Sequence, residues 1–314
     1  MMDKAWTQCP KISVIMLTYN RSQWVGRAID SVLTQTFADW ELIIVNNGST
    51  DSTQGILDDY KIKDQRIAVV TIPRSSIGAG RNEGLRLARG SYIAYIDDDD
   101  VCDARYLDFL YQLLKEKNGD IAICGTNLKN FDEIKEMNAQ EALVLLFQRK
   151  YFNVGFPTKL IARELLEGNR FSEKKKFDDI GMMPKVIANA DKVIYHGLPL
   201  YYVTRHDGNN SSWTENYSQL TPDILEEYIE EYTKRTKWLV ERFPDRRSDW
   251  QYFEWSFYIS MIDKISRYQL ENCNKIKEKL IQIISLNVQN FLKNENLLGF
   301  EREWVEKYIC RKKN

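Results

Sequence analysis

The segment Gly90-Ser91-Tyr92-Ile93-Ala94-Tyr95-Ile96-Asp97-Asp98-Asp99-Asp100 joins a short apolar run to four consecutive carboxylates. Tyr92 to Ile96 are β-branched or aromatic apart from one alanine, the composition of a strand covered on both faces. Ligands of open α/β sheets sit just beyond the carboxyl ends of such strands. Adjacent carboxylates repel one another and oppose folding unless a cation or a set of donors neutralises them, so the run asks for a partner. A divalent metal is the expected one; the alternative is a solvated acidic turn capping the next helix.

The rest of the chain supplies the sheet that this strand requires. Lys11–Leu17 reads as a buried strand ending at Thr18-Tyr19-Asn20, Ser22–Thr34 as a helix, and Trp40–Val45 as a second strand stopped by the polar turn Asn46–Asp51. A helix over Ser52–Tyr60, a strand over Ile67–Ile72, a loop Pro73–Gly78 and a helix over Ala79–Ala88 follow. Alternation with short connections predicts a right-handed, mostly parallel βαβ sheet, with Thr18–Arg21, Asn46–Asp51 and Asp97–Asp100 gathered on its carboxyl edge. Further on, Tyr106–Lys117 reads as a helix, Ile121–Cys124 as a strand and Glu133–Arg149 as one amphipathic helix. Phe156–Ile161, Val193–Tyr195 and Leu200–Val203 read as strands, and Ile180–Ala190 as a helix that Pro184 confines to a late start or a kink. From Thr221 onward the pattern is of long amphipathic helices alone.

Lys and Arg total 44 against 45 Asp and Glu, so charge points to neither nucleic acid nor strong membrane adsorption. The five cysteines are scattered without a C-x-x-C pair, which fits reduced thiols better than a disulfide framework or a zinc site. Runs such as Ile12–Leu17 and Ala142–Phe147 are too short to cross a bilayer. The expectation is a cytoplasmic protein with at most peripheral docking at the inner face of the membrane. Gly78-Ala79-Gly80 invites a dinucleotide-binding reading, but Glu83 stands where the third glycine belongs. Of the two histidines, His196 lies beside a strand, while His206 sits in the polar loop Thr204–Ser212, which could close over an anion.

Three stretches together carry a family resemblance: S-V-I-M-L-T-Y-N (Ser13–Asn20), S-V-L-T-Q-T-F-A-D-W-E-L-I-I-V-N-N-G-S-T-D (Ser31–Asp51) and G-A-G-R-N-E-G-L-R-L-A-R-G-S-Y-I-A-Y-I-D-D-D-D (Gly78–Asp100). They resemble family 2 glycosyltransferases of the GT-A fold, and K-F-D-D-I (Lys176–Ile180) resembles that family's acidic acceptor-side motif. The resemblance implies a catalytic domain over 1–216, divided into a nucleotide-sugar half (1–105) and an acceptor half (106–216), with a helical extension over 217–314. It implies an inverting, metal-dependent transfer of a hexose or N-acetylhexosamine from a nucleotide diphosphate sugar, a UDP-sugar by preference, to a glycan, lipid-linked or protein acceptor. Members of this kind build bacterial surface glycans.

By the same resemblance Tyr19 is the platform for the nucleobase, with Thr18 and Asn20 shaping the pocket. Asn46 stands where the family has an aspartate accepting the uracil N3–H, a bond that its amide carbonyl can also accept. Arg81 resembles the arginine near the ribose and diphosphate, Asp98 belongs to the donor pocket, and Asp97 and Asp99 match the D-x-D pair that holds Mn²⁺ or Mg²⁺. Asp179 aligns with the general base and Asp178 with its acidic neighbour, Asp207 being the next acid to consider. The helices after Asn216 are expected to face the acceptor or to join copies of the chain, since their aromatic residues exceed what a lone helical pair buries and the run Arg311-Lys312-Lys313 follows them; the alternative is that they pack on one another and on the catalytic domain. Two other classes are compatible with the fold: a nucleotide-sugar-binding protein without turnover, and a sugar nucleotidyltransferase. The latter would need a glycine-rich phosphate loop where Thr18–Arg21 stands.

Overall fold

The structure, a computed structural model, describes residues 9–174, 176–206, 217 and 220–310. The chain divides into two compact units, Met1–Thr204 and Arg205–Asn314. The boundary expected at 216 falls among residues 207–216, outside the described residues, as do Asp207 and Arg311–Lys313.

The first unit is a nine-stranded sheet covered by helices. Its strands are β1 (Ile12–Thr18), β2 (Trp40–Asn46), β3 (Ile67–Thr71), β4 (Tyr92–Tyr95), β5 (Val101–Cys102), β6 (Ile121–Thr126), β7 (Ile134–Met137), β8 (Lys159–Ala162) and β9 (Val193–Tyr202). The order is β3-β2-β1-β4-β8-β6-β9-β5, with β7 also paired to β9. β1 to β4 are mutually parallel, β8 runs antiparallel to both β4 and β6, and β6 and β9 are parallel. One face of the sheet, carrying Val14, Met16, Leu42, Ile44, Ala94, Leu160 and Ala122, packs on α1 (Val25–Leu33), α2 (Thr53–Lys63) and α4 (Tyr106–Lys117). The opposite face meets α3 (Ile77–Leu87), whose glycines explain the motif that invited a dinucleotide. A Cβ on Gly80 would lie 2.2 Å from Leu17 and one on Gly84 2.4 Å from Ile15, so these glycines let the helix lie directly on β1. They are a packing stripe.

Four expectations need correction. Glu133–Arg149 is not one helix: residues Ile134–Met137 form β7, and α5 (Ala139–Gln148) begins only after Asn138, whose side chain accepts from the Glu141 N–H in a capping box. α6 spans Asp178–Ala188 with Pro184 inside it, so it starts earlier than expected and encloses the proline. The expected strand over Phe156–Ile161 is regular only from Lys159. The strands expected near 193 and 200 are one continuous strand, its pairing with β6 shifted in register at Gly125.

The second unit consists of α7 (Pro222–Arg242), α8 (Arg247–Arg267), α9 (Asn274–Lys293) and α10 (Gly299–Tyr308), with α8 in contact with each of the others. Thr221 caps α7 and Pro222 opens it. The aromatic surplus that suggested an outward function is spent internally: Trp250, Tyr252, Phe253, Trp255, Phe257 and Tyr258 are buried. Phe257 stacks on Tyr232 at 3.7 Å, and Tyr252 and Trp255 both meet Phe291. Among the described residues no helix is long and apolar enough to cross a membrane.

Candidate active site

The turns after β1, β2 and β3 are tied to one another. Asn20, held at φ +51°, accepts the Thr50 N–H on its side-chain carbonyl (2.8 Å) and donates its own N–H to Ser49 Oγ (3.0 Å). The Arg21 N–H donates to Thr53 Oγ1 (2.9 Å) and the Ser22 N–H to Asp51 Oδ2 (3.2 Å). Asp51 also accepts from the Thr53 N–H (3.0 Å). Desolvation by its neighbours favours the neutral acid, but the bonds from Thr53 and Ser22 outweigh that and hold its carboxyl down at about 2. Asn47, 1% exposed, donates to the Ser75 carbonyl and accepts from the Ser75 N–H and hydroxyl, fastening the β3–α3 loop. Gly48 sits at φ +76°, and a Cβ there would lie 2.7 Å from the Arg74 nitrogen, so the crossing of these two loops requires glycine.

Tyr19 lies half-buried at this junction with the Arg74 guanidinium 3.7 Å above its ring centroid. The buried Asn46 is engaged at both ends of its amide: its carbonyl accepts from the Ser49 N–H (3.0 Å) and its NH₂ donates to Gln54 (2.6 Å). A base at this position would have to share that carbonyl, which keeps a second lone pair.

The acidic run is divided by environment. Asp98, Asp99 and Asp100 are buried, whereas Asp97 opens to solvent. Burial pushes Asp98 up to about 7; the Thr18 hydroxyl and Arg21 act against the shift, and Asp99 and Asp97 add to it. Asp100 is likewise pushed up to about 7, by burial and then by Asp97, against the Thr204 N–H and the Tyr201 hydroxyl. Asp97, surrounded by protein though open at one side, is raised to about 6 by desolvation, with Arg81 opposing and Asp99 and Asp179 reinforcing. Its access to water screens this shift more than those of its buried neighbours. Asp100 is a brace: it accepts the Thr204 N–H (2.7 Å), while the Asp97 N–H donates to Tyr201 Oη (3.0 Å), so the end of β9 fixes the turn after β4. Arg21 reaches into the run, 3.5 Å from Asp98 and 3.7 Å from Asp99.

Arg81 projects from α3 and donates to Asp178 Oδ2 at 3.0 Å. Burial disfavours its charge, but Asp178, Asp97, Asp179 and Tyr95 together outweigh that and raise its affinity for its proton. Asp178, 5% exposed, is pushed up by burial while Arg81 pulls it down. It is the counter-ion of Arg81, which leaves Asp179, the half-buried second residue of α6, as the accessible acid of the pair. The structure therefore brings together Thr18, Tyr19, Asn20, Asn46, Arg81, Asp97, Asp98, Asp99, Asp178 and Asp179 within the first unit. His206 belongs to the second unit, and residues 207–212 of the loop expected to carry it over an anion lie outside the described residues.

Arg21, Tyr201, Thr204 and Lys159 were not singled out as functional from the residues alone. Lys159, the first residue of β8, is wholly buried. The one available signal is a cation standing in the otherwise uncharged stretch Phe156–Ile161.

Among the described residues no group of three or more His, Cys, Asp and Glu is arranged to enclose a metal. Crowded carboxylates that burial makes reluctant to ionise are nonetheless the oxygen donors a hard divalent ion takes. One or two of them suffice when diphosphate oxygens complete the shell, so the residues fit an ion shared with a bound diphosphate.

A family model described as "Glycosyl transferase family 2" matches residues 13–179. Glycosyltransferase GlyA of Streptococcus pneumoniae serotype 4 is 30% identical over 239 residues, which cover 70% of this chain and 34% of GlyA; the chain thus spans about a third of that relative's length. Among solved structures, S. aureus TarS 1-349 in complex with UDP-GlcNAc superposes with a TM-score of 0.59 at 19% identity, covering 90% of this chain and 89% of TarS 1-349. The mannosyltransferase PcManGT of Pyrobaculum calidifontis, in complex with GDP-Man and Mn²⁺, gives 0.56 at 15% identity, covering 97% and 86%. At these identities the two structures speak to the shared GT-A fold.

Proposed function

The chain belongs to glycosyl transferase family 2, and on that premise we propose that it transfers a hexosyl or N-acetylhexosaminyl group, with inversion, from a UDP-sugar to a hydroxyl of a glycan, lipid-linked or protein acceptor. The observation that carries this reading is the Arg81–Asp178 ion pair, which joins the donor-side acids of β4 to the acceptor-side acids of α6 around one cation. A UDP donor is supported by the UDP-GlcNAc that TarS binds and by the spare acceptor capacity of Asn46.

In this mechanism Tyr19 stacks on the nucleobase, with Arg74 against its ring, while Thr18 and Asn20 hold the turn in shape. Asp99, with Asp97 beside it, would hold a divalent cation that offsets charge on the departing diphosphate. Arg21 and Arg81 add fixed positive charge on either side of the acids. Asp179 takes the proton of the acceptor hydroxyl as its oxygen bonds to the anomeric carbon and the bond to the diphosphate breaks. Asp178 keeps Arg81 in place. Asp179 suits the role because it stands outside the metal-binding acids, where a cation would weaken a base.

The test is a panel of nucleotide sugars scored for Mn²⁺-dependent binding and turnover. UDP-hexose or UDP-N-acetylhexosamine should be consumed in the presence of Mn²⁺ and spared in excess chelator. Binding without turnover would favour a nucleotide-sugar-binding protein. Synthesis of a nucleotide sugar from nucleoside triphosphate and sugar phosphate would make the protein a nucleotidyltransferase.

A further inference from the structure

Lys159 has no part in the mechanism above, and its position is costly. The side chain is 0% exposed, and its ammonium donates to the Gly155 carbonyl at 2.6 Å. A buried ammonium without a carboxylate bonded to it is less stable than an aliphatic chain of the same length, so packing alone does not explain a lysine here.

The sheet shows what the residue faces. Its successor Leu160 packs with Ala94 and Ala122 on the α1/α4 side, so alternation along β8 turns Lys159 to the α3/α6 side. β8 is antiparallel to β4, so its first residue lies at the carboxyl edge of the sheet, level with the end of β4 just before Asp97. On that side α6 begins with Asp178 and Asp179, placed there by the bond from Arg81 of α3. The groups acting on the Lys159 ammonium are the Cys124 thiol from β6 and the Asp179 carboxylate from α6. Asp179 is thus attracted by two cations, the buried Lys159 and the half-buried Arg81, and opposed by the anions Asp178 and Asp97.

We propose that Lys159 is a positioning residue for the general base: from beneath the site its ammonium offsets the repulsion that Asp178 and Asp97 exert on Asp179 and so holds that side chain in place. The inference rests on the reading of Asp179 as the base. Burial lowers the Lys159 affinity for its proton to about 7, with Cys124 and Asp179 resisting, so the cation is held at the edge of losing its charge. Removing it leaves Arg81 to offset both Asp178 and Asp97 at the base.

The experiment compares Lys159→Met, which fills the space, with Lys159→Gln, which can still donate to Gly155. Turnover with saturating UDP-sugar is measured from pH 5 to 8, together with donor Kd and Tm. Both variants should lose at least about tenfold in kcat at pH 7 and move the acid limb of the profile upward by about one pH unit, the sign of a base that has lost a neighbouring cation. Donor Kd should stay within about twofold, and Tm should be retained or raised in Lys159→Met. A variant with wild-type kcat and an unmoved acid limb overturns the proposal. So does a fall in kcat that tracks a fall in Tm with the limb unmoved, since that is a packing defect. Asp179→Asn is assayed in parallel. If it keeps its turnover, the reading of the base has failed and this inference with it; if it is inactive while the Lys159 variants are active, this inference alone has failed.

Discussion

The two flanks of the carboxyl edge are held together by opposite means. Around β1, β2 and β3 the polar groups of the turns are paired with one another: Asn20 with Ser49 and Thr50, Asn46 with Ser49 and Gln54, Asn47 with Ser75. Around β4, β8 and α6 there is buried charge in excess of such bonds: Asp98 and Asp100 pushed up to about 7, and Lys159 pushed down to about 7. On the proposed function the first flank, preformed by these bonds, would take the neutral nucleoside. The second holds unfavourable electrostatics that, on the same reading, a bound diphosphate with its cation would relieve. Substitutions in the charged flank should therefore remove function at little cost in stability, and those in the hydrogen-bonded flank should do the reverse.

The largest effect is expected from Asp99→Asn, which should abolish transfer and Mn²⁺-dependent donor binding while Tm stays within about 3 °C, because one of four crowded charges is removed. Transfer that persists in this variant, or in wild type under excess chelator, would break the comparison at its charged end. Asn47→Ala removes the acceptor of the half-buried Ser75 N–H and hydroxyl and should cost about 1–2 kcal/mol of stability, read from denaturant unfolding. Little change in unfolding would mean that this flank is not held by these bonds.

The readable part of this design was the part built from contiguous residues. β1 to β4 and their turns each announce themselves within a few positions, and so do the acids of the site. What could not be read depends on pairing across the sheet. β7 was absorbed into the helix after it because Ile134–Met137 continues the apolar spacing of α5, and only its partner β9 makes it a strand. β9 was read in two pieces because Gly197 and Pro199 interrupt its pattern, although β6 accommodates them through a shift in register. Lys159 passed unnoticed because a lysine in a strand reads as an outward-facing residue; its burial follows from β8 lying between β4 and β6.

Lys159 also sharpens the comparison through pH. Its proton affinity falls from an ordinary 10.5 in the unfolded chain to about 7 when folded, so between those values the unfolded chain binds the extra proton. Folding stability should thus rise with pH from about 7, relieving up to about 5 kcal/mol, and in Lys159→Met that rise should be absent. The difference between the two curves is best read from pH 7 to 8, below the ionisation of unfolded cysteines. Parallel curves would mean that the ammonium is less desolvated than its burial implies. A smaller effect is expected from Tyr19→Ala, which should weaken nucleoside diphosphate binding by about 1–2 kcal/mol through lost stacking, with Arg74 left without its platform. An unchanged Kd would return Tyr19 to a purely packing role.

The central claim is that Asp179 performs the chemistry while the rest of the edge binds the donor. Its most direct test is Asp179→Asn, measured for turnover and, by calorimetry, for the Kd of UDP with Mn²⁺. Turnover should fall by about a hundredfold or more with the Kd near wild type, the magnitude expected for loss of a general base. Wild-type turnover in Asp179→Asn, or a Kd weakened in proportion to the lost activity, would contradict it.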